Sequence, residues 1–425
     1  MDLLIKKATI IDPESDYHRQ KLDVQIREGK IVDIDKAING KDTAVLEAPD
    51  LCLLPGLIDV GTVVGDPGFE HREDMYSASK AAAAGGFTAL ACYPNTHPVV
   101  DSKSGVRYIQ HNEEDLIVNF YPIGAVSEKC QGKDITEMID MYRAGAVAFS
   151  DGQHPIQHNG MMMRALQYVK SFDGVILNHP HDVSIAGGGQ LNEGRISTML
   201  GMKGIPNMAE ELMVQRDIYL AEYTDSKVHI DNISTAGAVE MVRKAKQSGV
   251  KVTASVPVLN LRFTDEELLE FNSNLKVLPP LRTENDRQAL LKGIKDHTID
   301  FITSNHVPLE EEAKKLEFSF AEFGAAGLET AFLLSWQSLK KELDLNLEDM
   351  VRLWSRSARK VLNIDSPLIS PGVMANLTLF QPGISWQVDA KSLQSKSSNN
   401  PLIGEVFEGS ILGIINGRKS EIFDR

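Results

Sequence analysis

The chain has 425 residues, 42% hydrophobic and 24% charged, an ordinary globular composition with ample material for a large core, which excludes a disordered segment or a small disulfide scaffold. A formal net charge of -15 with no basic patch excludes a nucleic-acid partner, whose phosphates need cationic surface. No apolar run approaches the roughly 18 residues of a membrane span, and the opening Met1-Asp-Leu-Leu-Ile-Lys-Lys7 lacks a leader pattern. Cys52, Cys92 and Cys130 have no metal-like spacing, and together these features predict a cytoplasmic protein with reduced, buried thiols and no membrane partner.

In chain order, Leu3 to Ile11, Asp23 to Arg27 and Lys30 to Ile34 read as short strands, punctuated by Asp12-Pro13 and Glu28-Gly29. Eight further strand-like runs follow, separated by helix-period stretches: Leu54 to Val60, Ala89 to Tyr93, Val118 to Ile123, Ala146 to Ser150, Val175 to His179, Val228 to Ile233, Lys251 to Val256 and Asp300 to Asn305. That alternation predicts a (β/α)8 TIM barrel over residues 53–364, an α/β fold whose chemistry sits where the strands end. Ala375 to Phe380 and Ile411 to Ile415 return to strand pattern, with Asn416-Gly417 as a turn. Residues 1–52 and 365–425 are therefore expected to form one small β-sandwich domain from both termini, with the polar Lys391 to Asn400 as a surface loop.

Several strings share the order and spacing of one family: Pro55-Gly-Leu-Ile-Asp59, Ala82-Ala-Ala-Gly-Gly-Phe-Thr88, Tyr93-Pro-Asn-Thr-His-Pro-Val-Val-Asp101, Asn192-Glu-Gly194, Ser234-Thr235, Pro279-Pro-Leu-Arg282 and Gly327-Leu-Glu-Thr330. In this the chain resembles the dihydroorotases of the amidohydrolase superfamily, in particular the form associated with aspartate carbamoyltransferase. The resemblance implies pyrimidine biosynthesis and the interconversion of carbamoyl aspartate and dihydroorotate. In that reaction a zinc ion activates water and polarises an amide carbonyl, and an aspartate carries the proton.

The positions that the resemblance assigns to this chemistry hold other residues. The two histidines and the arginine of the first barrel strand correspond to Gly61, Val63 and Gly65, and the sixth-strand histidine to Asn232. Hydrogen and methyl groups offer no lone pair, and a carboxamide is a poor transition-metal ligand. The proton-carrying aspartate corresponds to Asn305, which has no titratable carboxylate. Further substrate-contacting positions correspond to Leu309, Leu278 and the Leu259-Asn260 pair. Asp151 and His179 remain as residual metal candidates, and Asn95 as a substrate-binding residue.

Plainer roles stand beside these. His179 and His306 fit hydrogen-bonded barrel-mouth histidines, and Asp151-Gly152 fits a turn. His154, His158, His179 and His181 form a weaker candidate zinc set, because Pro155 breaks any helix that would align the first pair. His71 and Arg72 read as solvent-exposed, Ala81 to Gly86 as close helix packing and not a phosphate loop, and Glu310 to Lys315 as a solvated helical turn.

The expectation is a noncatalytic dihydroorotase-like subunit with no cofactor, a homo-oligomer whose partner is aspartate carbamoyltransferase. The alternatives are an active dihydroorotase or other cyclic amidohydrolase with an atypical zinc site, and a protein that binds a small ligand at the barrel mouth.

Overall fold

A computed structural model describes residues 2–40, 43–112 and 115–423; parts of the expected terminal domain, at residues 1, 41–42 and 424–425, lie outside the described residues. Eight parallel strands form a nearly closed barrel: β1 (Leu57–Thr62), β2 (Phe87–Cys92), β3 (Asn119–Gly124), β4 (Ala148–Phe149), β5 (Ile176–Asn178), β6 (Val228–Ile230), β7 (Val252–Pro257) and β8 (Phe301–Thr303). Every residue of β1 and β2 is buried, as expected for parallel strands covered on both faces. Alternate residues divide between two clusters. Ile58, Val60, Ala89, Ala91, Tyr93, Ile123, Leu177 and Phe301 pack together, while Leu57, Leu90, Phe120, Ile176, Ile230 and Ile302 pack with the surrounding helices. Asp59 joins the first strand to the last, accepting from the Ser304 amide at 2.7 Å and from the Ser304 hydroxyl at 2.6 Å.

The run Leu54 to Val60, expected as one strand, is two. Cys52–Pro55 pairs with Asn376–Gln387 in the terminal sheet, and β1 begins beyond Gly56. A side chain at Gly56 would collide with the Asn376 and Thr88 side chains, at 1.7 and 2.2 Å from its Cβ, so the two sheets meet there at backbone distance. Strands from both ends of the chain form one eight-stranded sheet around its own core of Ile5, Val24, Ile26, Leu53, Leu377, Leu379 and Ile415.

Lys391 to Asn400 is not a plain surface loop. Ser397, Asn399 and Asn400 are buried. The Ser395 hydroxyl donates to Glu73, Lys396 Nζ donates to Asp74 at 2.5 Å, and Asn399 Nδ2 donates to the Val307 carbonyl at 3.0 Å, so the segment straps the loops after β1 and β8 together. The expected solvated turn at Glu310 to Lys315 contains the helix Glu311–Lys314, but Lys314 points inward and donates to the carbonyls of Glu322 and Gly324 at 2.8 and 2.9 Å. Lys276 is likewise buried, against Phe318 and Phe323, and the two ammonium groups pin the loop that roofs the barrel mouth.

The alanine-rich run packs closely as expected: Ala81 to Ala84 are buried, and a side chain at Gly85 would lie 2.2 Å from the Leu328 carbonyl. Cys52, Cys92 and Cys130 are buried and form no disulfide among the described residues. Among the described residues no helix is long and apolar enough to cross a membrane.

Candidate functional site

At the mouth of the barrel, β1 bends at Gly61, where its register with β2 shifts and φ is +80°. That left-handed conformation suits glycine, and the space beside it is occupied: a Cβ at Gly61 would sit 2.9 Å from both Cζ and the hydroxyl of Tyr93. Tyr93 follows the end of β2, and its phenol donates to Oδ2 of Asp231 just past β6. Oδ1 of Asp231 accepts from the Ser255 hydroxyl of β7 at 2.6 Å. Burial, aided by the nearby Asp59 carboxyl, pushes the Asp231 carboxyl up to about 7. A buried phenol–carboxyl–hydroxyl chain thus lies where the resemblance calls for the first histidine.

The other replaced positions are also occupied with hydrogen bonds of their own. Asn232, in left-handed conformation, accepts from the Thr303 hydroxyl at 2.6 Å through Oδ1, and its backbone N–H donates to the Ser255 hydroxyl at 2.9 Å. Asn305 donates through Nδ2 to the Leu278 carbonyl at 3.1 Å. Val63 contributes its backbone N–H to the His306 carbonyl at 3.0 Å. A side chain at Gly65 would lie 2.3 Å from the Phe69 carbonyl, so no guanidinium can project from that backbone as it stands.

The residual candidates are dispersed among separate tasks. Asp151 accepts from the amides of Val126 and Ser127 at 2.9 and 2.8 Å and from the Ser127 hydroxyl, which clamps the loop after β3; burial pushes its carboxyl up against those donors. Asn95 spends both ends of its amide on the loop after β4, donating to the Asp151 carbonyl at 3.0 Å and accepting from the Gln153 amide at 2.9 Å. His179 is buried, with Nδ1 3.4 Å from the Asp231 carbonyl and Nε2 without a protein partner, and burial pushes its imidazole down to about 3. His306 accepts from the Gly327 amide at 3.1 Å through Nδ1 and faces Glu73 at 3.5 Å through Nε2.

These residues do not fit a resident zinc ion. Among the described residues no group of three or more His, Cys, Asp or Glu side chains could hold a metal. The alternative histidine set fails with it: His179 and His181 stack at 6.1 Å between ring centres, and His158 spends Nδ1 capping the helix Asn159–Lys170. Nor is Arg72 solvent-exposed as expected; it is half-buried and paired with Glu310 and Glu322.

Three hollows open around Gln153. The smallest, about 70 Å³, is lined by Tyr93, His179, Asn232, Leu278, Asn305 and Phe323. A second of about 200 Å³ lies over Val63, Asn95 and Arg72, and a third of about 420 Å³ over His154, His158 and His181. Small-molecule sites usually enclose roughly 300–1,000 Å³, so this hollow of about 70 Å³ is too small to enclose a whole substrate by itself. Sequence reasoning missed Tyr93 and Asp231 as the filling of the barrel. The one available signal was a phenol directly before Pro94-Asn95, facing the strand end where the resemblance expects a histidine and the chain has Asn232.

Residues 51–238 match the family described as Dihydro-orotase-like. A dihydroorotase of Syntrophus aciditrophicus is 41% identical over 422 residues, covering 98% of this chain and 99% of its own length. One of Pelotomaculum thermopropionicum is 43% identical over 426 residues, covering 100% and 99%. Among solved structures, L-hydantoinase (dihydropyrimidinase) from Arthrobacter aurescens superposes with a TM-score of 0.86 at 20% identity, covering 100% of this chain and 98% of that one, which shows the fold alone. With relatives of that identity along its whole length, the chain belongs to the dihydroorotase family of amidohydrolases.

Proposed function

We propose that this chain is a dihydroorotase-fold protein that has lost cyclic amide hydrolysis and serves pyrimidine synthesis as a structural or regulatory subunit, a homo-oligomer paired with aspartate carbamoyltransferase. The observation that carries this reading is Tyr93, whose ring fills the space beside Gly61 and whose hydroxyl is committed to Asp231. A hydrolytic site needs several donors converging on one point and a titratable proton carrier. Here Gly61, Val63, Asn232 and Asn305 supply neither, and each catalytic group lost commonly costs powers of ten in rate. A scaffold needs its core, and the barrel strands β1 and β2 are buried on both faces.

The second reading is an active dihydroorotase or other cyclic amidohydrolase with an atypical zinc site drawing on His179, His181 and Asp151. The full-length relatives that carry the name dihydroorotase favour it.

Purification from the native cell, with zinc content and dihydroorotate turnover measured on the same material, separates the two. The first reading expects substoichiometric zinc, no turnover above a no-protein control, and aspartate carbamoyltransferase in the isolated complex. Stoichiometric zinc with turnover establishes the second.

A further inference from the structure

The loop that roofs the barrel mouth turns large apolar side chains outward. Phe320 is 71% exposed, Leu316 51% and, on the neighbouring segment, Phe271 47%. The two segments are joined: the Phe271 ring meets the buried Phe318 ring edge to face at 6.2 Å, and the Ser273 hydroxyl donates to the Lys314 carbonyl at 2.9 Å. The loop is also held from below, where Lys276 Nζ donates to the Phe318 carbonyl at 2.7 Å and Lys314 Nζ to the Gly324 carbonyl at 2.9 Å. Burying an ammonium is unfavourable unless its donors are satisfied. Here the carbonyls that satisfy two of them fix the turn in one shape with an aromatic ring at its tip, which lowers the ordering cost of docking there. The rim of this patch is acidic. Glu270, Glu312 and Glu317 are exposed and have no ion-pair partner among the described residues, while Lys315, the one exposed cation of residues 310–322, is paired with Glu311.

We propose that this roof is the face through which the chain docks a different protein, whose contact segment presents an apolar side chain flanked by Lys or Arg. The apolar part seats against Phe271, Leu316 and Phe320, and the flanking cations meet Glu270, Glu312 and Glu317. An exposed apolar patch with a polar rim marks an interaction site, and aromatic side chains at its centre carry most of the binding energy of such contacts. The rim selects the occupant by charge. A second copy of this chain would set the same carboxylates against one another, and like charges across an interface are repulsive. Nucleic acid and anionic membrane surfaces are repelled in the same way. Phe323 and Gly324 of the same loop line the hollow of about 70 Å³, so the docked partner sits at the barrel mouth.

The inference rests on the reading of this chain as a subunit of a larger assembly and adds the face that meets the partner. Its test is a calorimetric titration of the full-length chain with aspartate carbamoyltransferase purified from the same cell, at roughly 50 and 500 mM salt. Saturable binding in the micromolar range or tighter, weaker at the higher salt, is expected. Phe320→Ser, and Glu312→Lys combined with Glu317→Lys, should each weaken binding at least about tenfold. Tyr223→Ser, at a 70% exposed aromatic on the outer helix Met208–Thr224, should leave it unchanged. All four positions are exposed, and equal denaturation midpoints certify that the variants fold like the parent. Sedimentation of the chain alone completes the set, with the same oligomeric state expected for parent and Phe320→Ser. Equal binding by parent and roof variants, loss of binding with Tyr223→Ser, or dissociation of a self-assembled parent by Phe320→Ser overturns this inference and leaves the proposed function standing. A parent that ignores aspartate carbamoyltransferase at both salt concentrations removes the pairing in the proposed function, and this docking face with it.

Discussion

Tyr93 and Asp231 are joined by a buried hydrogen bond across the barrel mouth, and the Tyr93 ring stands 2.9 Å from where a Gly61 side chain would begin. Reinstating the first missing ligand is consequently a packing problem before it is a coordination problem. Gly61→His combines a positive φ with overpacking, and should destabilise the fold by about 2–4 kcal/mol without gaining zinc. Adding Tyr93→Ala should recover part of that loss, a non-additivity expected of residues in contact. Even the set Gly61→His, Val63→His, Asn232→His and Asn305→Asp should bind no zinc while Tyr93 remains. Urea denaturation and metal analysis of the variants check both statements; tight zinc binding by that set with Tyr93 intact would remove the phenol from its assigned place.

Tyr93→Phe isolates the hydroxyl. The ring packing stays and Asp231 loses a donor in a fully buried setting, which costs about 1–3 kcal/mol. Denaturant midpoints of the two proteins report it. A neutral result would mean that Asp231 finds another partner.

The barrel and the terminal sheet were legible because they depend on periodicity: eight apolar runs at helix-separated intervals can hardly bury themselves another way. Gly61, Val63, Asn232 and Asn305 could be read in the sequence as residues without metal-binding or titratable groups inside recognisable strings. What fills the space beside them could not. Tyr93 and Asp231 are 138 positions apart, and no local pattern announces that the end of one strand will bond to the end of another four strands on. The inward turn of Lys314 and the burial of Asn399 escaped for the same reason: their partners at Gly324 and Val307 lie in loops whose proximity only the closed barrel creates.

Asp151 discriminates a clamp from a ligand. Asp151→Asn removes the charge that gathers two amides and a hydroxyl from Val126 and Ser127, and should cost about 2–3 kcal/mol because charge-assisted bonds are lost within a buried loop. Zinc content should be identical in variant and parent. A metal-bearing parent whose metal is lost with Asp151 would instead make the carboxylate a ligand.

His229 provides a pH dependence that can be signed. Its ring is fully buried, stacked on Phe301 at 4.7 Å, with Nδ1 2.9 Å from the Thr253 hydroxyl, and burial pushes its imidazole down to about 3. In the unfolded chain the same group titrates near about 6.5. Between those values the unfolded state binds a proton that the folded state refuses, so this residue makes stability rise with pH from roughly 3 to 6.5 by about 1.4 kcal/mol per unit. Asp231 acts in the opposite sense, because a carboxyl raised to about 7 holds its proton in the fold after the unfolded chain has released it. His229→Phe should therefore flatten the pH dependence by about one proton across that window, and Asp231→Asn should steepen it between roughly pH 4 and 7. Urea midpoints from pH 4 to 7 on the three proteins measure both differences; parallel curves would mean that the two groups titrate alike in the folded and unfolded chain.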